Sequence, residues 1–360
     1  MTDSRVRGES IRLESVSVSY GAVTVLESLS LAVGAGEFFT LLGPSGCGKT
    51  TTLRLVAGLL GPSAGRIWLG DRDVTRTPVH RRGIAMVFQN YALMPHLSVR
   101  ENVGYGLRRR GLPRHEQQQR TEAALARVGL AGYGDRHPAE LSGGQQQRVG
   151  LARAVAVESG AMLLDEPLSN LDTSLRQEMC IELRELQQQL GVTILYVTHD
   201  RSEALSMSDR IAVMSDGQVL SLGTPQELYT QPGSRYTARM LGDVNELRGE
   251  WSGSGVVVAG TGVGAAAPDG ATGPARIGVR PEHLAVVGGP PPGDLNALPG
   301  KVRHTEYGGA MTTVLVALAD SDQVVSARVP SSAAAADWEE GDQVSVCWRP
   351  EHTMVFTGEK

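Results

Sequence analysis

Residues 11–18, IRLESVSV, alternate apolar and polar side chains, the period of a strand with one buried face. EFFTLLG, 37–43, is instead a continuous apolar run that enters a glycine-rich loop at 43–48. Beyond the loop the period changes. From Lys49 onward, Leu53, Val56, Ala57 and Leu60 recur at helical spacing, and GPSAG at 61–65 ends the predicted helix. A strand is predicted at IAMVFQ, 84–89. Residues 114–157 are polar with a helical pattern, broken by GLAGYGDRHP at 129–138. AMLLDEP (161–167) and VTILYVTHD (192–200) are short apolar runs ending in acidic or polar residues, as buried parallel strands do when their carboxyl ends carry chemistry. A helical segment, 174–191, lies between them. This β–loop–α and β–α–β order predicts a three-layer α/β core.

The pattern shifts after about residue 240. Residues 252–274 are rich in Gly, Ala and Ser, and 288–293 read GGPPPG. Short strand-like runs lie between these breakers: ARIGVRP, TTVLVALA, QVVSARVP, QVSVCW and TMVFTG. They predict a small β-barrel or sandwich. No solenoid-type repeat is present, and 252–274 contain no recognisable motif.

Composition narrows the choices. A chain of 360 residues suits two domains. Its formal charge of −5 gives no reason to expect nucleic acid as a partner. The apolar run around Ile194–Val197 is far short of the roughly 18 residues of a membrane span, and MTDSRVRGES has no apolar signal core. Three scattered cysteines suggest neither a disulfide framework nor a metal site, so a cytoplasmic chain is expected.

GPSGCGKT, Gly43–Thr50, fits G-x-x-x-x-G-K-[ST] between a strand and a helix, the context that separates a phosphate loop from a glycine-rich turn. Its glycines let backbone N–H groups converge on phosphate oxygens. Lys49 is placed for the β- and γ-phosphates and the Thr50 hydroxyl for Mg²⁺. An Asp at the end of a buried strand, where Asp165 is placed, can hold Mg²⁺ through water, as in other P-loop ATPases. Glu166 beside it is suited to polarise the attacking water as general base, an effect of about 10²–10⁴-fold. Alone, LLDE would be a strand end with two solvated carboxylates; with the phosphate loop it becomes half of an ATP site. LSGGQQQR, 141–148, raises a further question. Ser142 and Gln145 have capping-box spacing, while two glycines in a first turn are costly yet leave backbone open to a phosphate. The chain thus carries a second candidate phosphate site.

Over residues 11–240 the sequence resembles the ATP-binding subunits of ABC transporters. The resemblance assigns Tyr20 in VSYG to stacking on adenine. It implies nucleotide contacts along Gly43, Pro44, Ser45, Gly46, Cys47, Gly48, Lys49, Thr50 and Thr51. Gln89 in VFQN is implied to sense Mg²⁺ and the γ-phosphate, as a metal ligand with Thr50 and Asp165 and as a catalytic residue with Glu166 and His199. LSGGQ is the family signature; Ser142, Gly143, Gly144 and Gln145 would cover ATP held by the phosphate loop of a second chain. SNLD, Ser169–Asp172, would cross to that partner, with Asp172 at its nucleotide, and His199 in VTHD would contact the γ-phosphate. One phosphate loop and one signature cannot close a site in one chain, so a head-to-tail dimer with a second copy is implied. Residues 90–107, with apolar Tyr91, Leu93, Met94 and Leu97, would receive the transmembrane permease subunits.

IGVRPEHL (277–284) and HTEYGG (304–309) resemble the TOBE domain of importer ATPases of the polyamine, ferric-iron, sugar and sulfate group. The expected fold is therefore an α/β P-loop ATPase core with antiparallel β and helical subdomains (1–240, the helical part about 90–157), followed by a small all-β OB-like barrel (241–360). Arg280 and Glu282 read as a structural, salt-bridged turn rather than a ligand site. Cys47 is expected to make activity sensitive to alkylation. The implied function is ATP hydrolysis that drives solute uptake at the cytoplasmic face of the inner membrane, with ATP and Mg²⁺, permease subunits and, indirectly, an extracytoplasmic solute-binding protein. A polyamine ranks first as solute and ferric iron second, ahead of sugar or sulfate; no nucleic acid is expected. A soluble ABC ATPase remodelling ribosomal or nucleic-acid complexes is disfavoured by the single cassette and the acidic balance. A regulatory protein whose barrel captures a transcription factor or metabolite is the third reading.

Overall fold

In the computed structural model, which describes residues 8–21, 23–252, 255–266, 271–289, 291, 293–332 and 338–356, the continuous apolar runs lie at the centre of the first unit. The first residues of MTDSRVRGES and the last of TMVFTG lie outside the described residues. Strands β1 (Ile11–Tyr20) and β2 (Val23–Val33) form an antiparallel hairpin, and β3 (Phe38–Leu42) leads into the phosphate loop and helix α1 (Lys49–Ala57). Next come β4 (Ala64–Leu69), β5 (Arg72–Asp73), the short helix α2 (Val79–Arg82) and β6 (Ala85–Val87). Helices α3 (Val99–Arg109), α4 (Arg114–Arg127) and α5 (Gly143–Ala156) pack on one another. The unit finishes with β7 (Ala161–Asp165), α6 (Thr173–Leu190), β8 (Thr193–Thr198), α7 (Arg201–Met207), β9 (Arg210–Ser215) and β10 (Gln218–Gly223).

Among the described residues these strands make two sheets. One is antiparallel, in the order β2-β1-β4-β5. The other runs β10-β9-β3-β8-β7-β6, parallel except for the β9–β10 pair. The central strands β3, β7 and β8 of the second sheet are buried on both faces, and their two-residue period divides their side chains between two cores. Phe38, Met162, Leu164, Ile194 and Tyr196 join the core of α3–α6, while Phe39, Leu41, Leu163, Leu195 and Val197 join that of α1 and the antiparallel sheet. This is the three-layer arrangement expected from the sequence. One boundary differs. Helix α1 stops at Ala57 because Gly58 adopts the left-handed conformation (φ 80°), so Leu60 is outside the helix and part of GPSAG opens β4.

The chain divides into compact units Met1–Pro225 and Gln226–Lys360, so the division precedes the compositional change near residue 240. The reason lies in Arg280, which is 1% exposed. Its guanidinium donates to Tyr229 O (2.9 and 3.1 Å), Ala238 O (3.3 Å) and Asp243 O (3.1 Å), and lies 3.7 Å from the centre of the Tyr229 ring. Helices α8 (Pro225–Thr230) and α9 (Arg235–Leu241) are thereby tied to the β domain. Arg280 is structural, but through these carbonyls; Glu282 accepts from the Tyr229 hydroxyl instead.

The second unit, among its described residues, contains two five-stranded antiparallel sheets. The Gly/Ala/Ser-rich stretch that shows no motif holds β12 (Gly255–Val258) and β13 (Thr261–Gly264), which continue β11 (Asn245–Ser252) as a meander. The tetrapeptide RPEH occurs at 280–283 and 349–352, each time as a 3₁₀ turn, and the rings of His283 and His352 stack 3.9 Å apart.

Candidate functional site

The glycines of the phosphate loop are there for space. A side chain at Gly43 would bring its Cβ within 2.4 Å of Met214 O on β9. Gly48 has φ 104°, and a Cβ there would meet Leu26 of β2 at 2.7 Å. The loop is thus clamped between the sheet and the hairpin that ends in Tyr20, which is 53% exposed. Pro44, Ser45 and Gly46 form the exposed rim; Gly43, Cys47, Gly48 and Lys49 are buried, and Thr50 and Thr51 are half-buried. Lys49 Nζ folds back onto Gly43 O (2.7 Å) and Pro44 O (2.9 Å). A buried ammonium requires acceptors, and the loop's own carbonyls supply them.

Thr50 sits on the first turn of α1, where its Oγ1 donates to Asp165 Oδ1 at 3.0 Å. Asp165 ends β7 and is 9% exposed; burial pushes its carboxyl up, only partly offset by the Thr50 bond. The next residue, Glu166, has φ 45°, a conformation that costs a non-glycine residue about 1–3 kcal/mol and needs fixed surroundings. Those surroundings are a bond from Glu166 N to Val197 O (3.0 Å) and one from Ser169 Oγ to Glu166 O (3.0 Å). The turn presents Glu166 Oε2 to His199 Nδ1 at 3.1 Å, so a carboxylate from the end of β7 meets an imidazole from the end of β8.

Ser142 caps α5 as its spacing requires: Gln145 N donates to Ser142 Oγ (3.4 Å) and Ser142 N donates to Gln145 Oε1 (3.1 Å). The two glycines after it differ. A Cβ at Gly144 would lie 3.0 Å from Leu175 of α6, whereas a Cβ at Gly143 would meet nothing within 4 Å. Gly144 therefore serves packing within the chain, and Gly143 leaves a helix N-terminus open to the outside. Asp172 caps α6, with Leu175 N donating to its Oδ1 (3.0 Å), and its side chain is exposed like that of Ser142.

Comparisons with known proteins identify the family. The ABC transporter family matches residues 26–169 and the TOBE domain residues 277–356. The spermidine/putrescine import ATP-binding protein PotA of Acidothermus cellulolyticus is 47% identical over 95% of this chain and 92% of its own. The Fe(3+) ions import ATP-binding protein FbpC of Agrobacterium fabrum is 47% identical over 84% and 86%. This chain belongs to the ATP-binding subunits of ABC transporters. Among solved structures, cbiO1 of Clostridium perfringens, part of the ABC transporter complex cbiONQ, superposes with a TM-score of 0.58 at 30% identity, covering 62% of this chain and 91% of that one. The dimeric structure of a bacterial ABC transporter cassette gives a TM-score of 0.55 at 30% identity, covering 60% and 98%.

This ABC cassette thus binds and hydrolyses ATP, and its core joins several loops that sequence spacing does not connect. Gln89 Nε2 donates to Ser169 Oγ (3.3 Å) and Asn170 Nδ2 to Gln89 O (3.3 Å), so the Gln89 loop is bonded to the loop that carries Asp172. Tyr91 and Ala92, with φ 56° and 44°, are held by Arg153 of α5, which donates to Tyr91 O (2.6 Å) and Ala92 O (2.8 Å). Asn102, fully buried, donates to Met94 O, Leu97 O and Ser98 O and accepts from Met94 N. Neither residue stands out in the sequence, because their partners are carbonyls rather than a patterned side chain.

Cys47 departs from the expected alkylation sensitivity. It is 5% exposed, and burial raises its thiol pKa despite the nearby Lys49, so little reactive thiolate is available.

Proposed function

We propose that this cassette powers uptake of a polyamine through separate transmembrane permease subunits, working at the cytoplasmic face of the inner membrane as a head-to-tail dimer. The observation that carries the catalytic part is the convergence of Lys49, Thr50, Asp165, Glu166 and His199 on one loop edge, with Thr50 bonded to Asp165 and Glu166 to His199. The signature helix instead turns the open N-terminus at Gly143 outward. A half-site facing out suits a second copy that brings its own nucleotide.

Thr50 and Asp165, with Gln89, are fitted to hold Mg²⁺, since a hydroxyl, a carboxylate and an amide oxygen are hard oxygen donors. When bound, the ion neutralises charge on the phosphoryl oxygens. Lys49 exchanges its two carbonyl acceptors for phosphate oxygens. Glu166 accepts the proton of the attacking water, and His199 fixes the carboxylate and reaches toward the γ-phosphate. Tyr20 offers an exposed ring for adenine. Ser142, the N–H of Gly143 and Asp172 complete the neighbour's site, so ATP favours the closed dimer and loss of the γ-phosphate releases it.

The polyamine reading rests on the extent of similarity. The polyamine import relatives of Acidothermus cellulolyticus and Thermobifida fusca align over 95% and 99% of this chain, and the ferric-iron import relatives of Agrobacterium fabrum and Escherichia coli over 84% and 77%. Ferric iron is the second reading because identity is equally high where those align. An extracytoplasmic binding protein would deliver the solute to the permeases. Glu166→Gln tests the chemistry: turnover falls by about 10²–10⁴-fold while ATP binding persists and an ATP-locked dimer accumulates. Near-normal turnover contradicts it. The solute that raises ATPase activity of the complex with its co-purified membrane subunits decides between polyamine and iron.

A further inference from the structure

Arg176 stands on the first turn of α6, just beyond the exposed loop that ends in Asp172. Its guanidinium reaches in two directions. Nη2 donates to Leu171 O at 2.9 Å, the residue before Asp172. Nη1 donates at 2.9 Å to Oδ2 of Asp200, the residue after His199. The Nε atom lies 3.7 Å from Oε1 of Glu203 on α7. Glu203 is 3% exposed, and its other oxygen accepts from Tyr196 OH (2.7 Å) and Thr198 Oγ1 (2.6 Å), both on the strand that ends at His199. Thr198 Oγ1 in turn accepts from Asp200 N (2.9 Å), while Asp200 Oδ1 caps α7 through Ser202 N (2.7 Å) and Glu203 N (3.3 Å). Both neighbours of His199, Thr198 through its hydroxyl and Asp200 through its N–H and carboxylate, are therefore bonded into a network that includes Arg176.

On its outer side the guanidinium borders a cavity of about 540 Å³, lined also by Cys180, Ile181 and Ser206. On that side its position is set by its hydrogen bonds to Leu171 O and Asp200 Oδ2, with the Glu203 carboxylate near Nε as an ion pair and not as a hydrogen-bond acceptor. A planar fork with donors in fixed directions suits such a bridge better than a single ammonium.

We infer that Arg176 is a positioning residue that couples the partner-facing loop at 169–172 to the Glu166–His199 pair, so that seating Asp172 against a second cassette sets the histidine for hydrolysis. This rests on the reading that Asp172 faces the partner and that Glu166 and His199 act on the γ-phosphate. Arg176 acts through Leu171 on one side and Asp200 on the other. A displacement of about 1 Å at a reacting group is enough to cost on the order of 100-fold in rate.

The test uses the full chain. Arg176→Ala lowers kcat by roughly 10- to 100-fold with KM for ATP changed by less than about twofold, because ATP is bound elsewhere. Arg176→Lys falls between, since an ammonium satisfies one side of the bridge. Asp200→Asn, which keeps an acceptor for the α7 cap, acts in the same direction, and the double variant is no worse than the poorer single one. In a Glu166→Gln background, Arg176→Ala binds ATP normally but its ATP-locked dimer dissociates faster. A merely structural arginine would lower the melting temperature and the folded fraction and leave kcat per folded chain intact. That pattern, or unchanged kcat in Arg176→Ala, overturns the inference. If Arg176→Ala does not fold, wild-type kcat and dimer lifetime in both Arg176→Lys and Asp200→Asn overturn it equally. The underlying reading fails separately, through normal hydrolysis by Glu166→Gln with Arg176 intact.

Discussion

Two glycine-rich segments, 43–50 and 141–148, both open a helix and both offer backbone to a phosphate, yet the chain treats them oppositely. In the first, Gly43 is pressed on Met214, Gly48 on Leu26, and Lys49 is folded onto the loop's own carbonyls. The carboxylates at its edge, Asp165 and Glu166, come from the same chain. In the second, Ser142 and Gly143 are exposed, a Cβ at Gly143 meets nothing, and only Gly144 is used internally, against Leu175. A loop that holds a ligand alone is walled in by its own fold. A loop left bare on its outer face, as the second is, suits the proposed role of closing a neighbour's site.

This contrast is sharpest at the two residues that would bear on phosphate. Lys49→Ala removes a buried cation from the site, which costs about 2–4 kcal/mol in ATP binding, roughly 30- to 700-fold in Kd. Ser142→Arg leaves the ATP affinity of the single chain within about twofold but abolishes the ATP-driven dimer, since the obstruction lies on the outer face. Equilibrium nucleotide binding and sedimentation measure both. Equal loss of affinity in the two variants would erase the distinction.

Thiol chemistry probes it more gently. All three native cysteines are buried, and burial raises the pKa of Cys47. Gly143→Cys places a thiol on an exposed helix N-terminus, which favours the thiolate. Alkylation of that variant proceeds roughly 100-fold faster than at Cys47. ATP in a Glu166→Gln background protects it by closing the dimer. Comparable rates, or no protection, would show that the signature is not a surface awaiting a partner.

The smallest effect separates the two signature glycines. Gly143→Ala gains helix propensity without a clash, whereas Gly144→Ala must displace Leu175 from a 3.0 Å contact. The melting temperatures of the two variants differ by about 2–4 °C for a difference of about 1 kcal/mol, with Gly144→Ala the lower. In ATPase assays Gly143→Ala is the more impaired relative to its stability.

The central strands are legible in the sequence because burial on both faces leaves no polar alternation to obscure them: Phe38–Leu42, Ala161–Asp165 and Thr193–Thr198 are buried throughout. Val256, Val258 and Val263 also enter a core, but the glycines and small residues around them read as breakers, so the meander 245–264 is hidden. The twelve-residue strand Asn296–Tyr307 is interrupted in pattern by Pro299 and Gly300, although Gly300 is there because a Cβ would lie 2.6 Å from Ala317 O. Composition marks where barrel strands begin near 240, but Arg280 draws the two preceding helices into that unit. At the site, residues carried by motifs stand out by spacing. Arg153 and Arg176 do not, because each bonds to a segment that it meets only in the fold.

The central claim is that each ATP is enclosed by the phosphate loop of one chain and the signature of the other. Lys49→Ala and Ser142→Arg chains, both carrying Glu166→Gln, are mixed in equal amounts and their ATP-dependent association is measured. In a head-to-tail pair both lesions fall in one site and the other stays intact. Neither variant alone dimerises with ATP, and the mixture does, holding one ATP per dimer. A mixture that stays monomeric in ATP, or a Ser142→Arg variant that dimerises alone as well as its Glu166→Gln parent, would contradict the account.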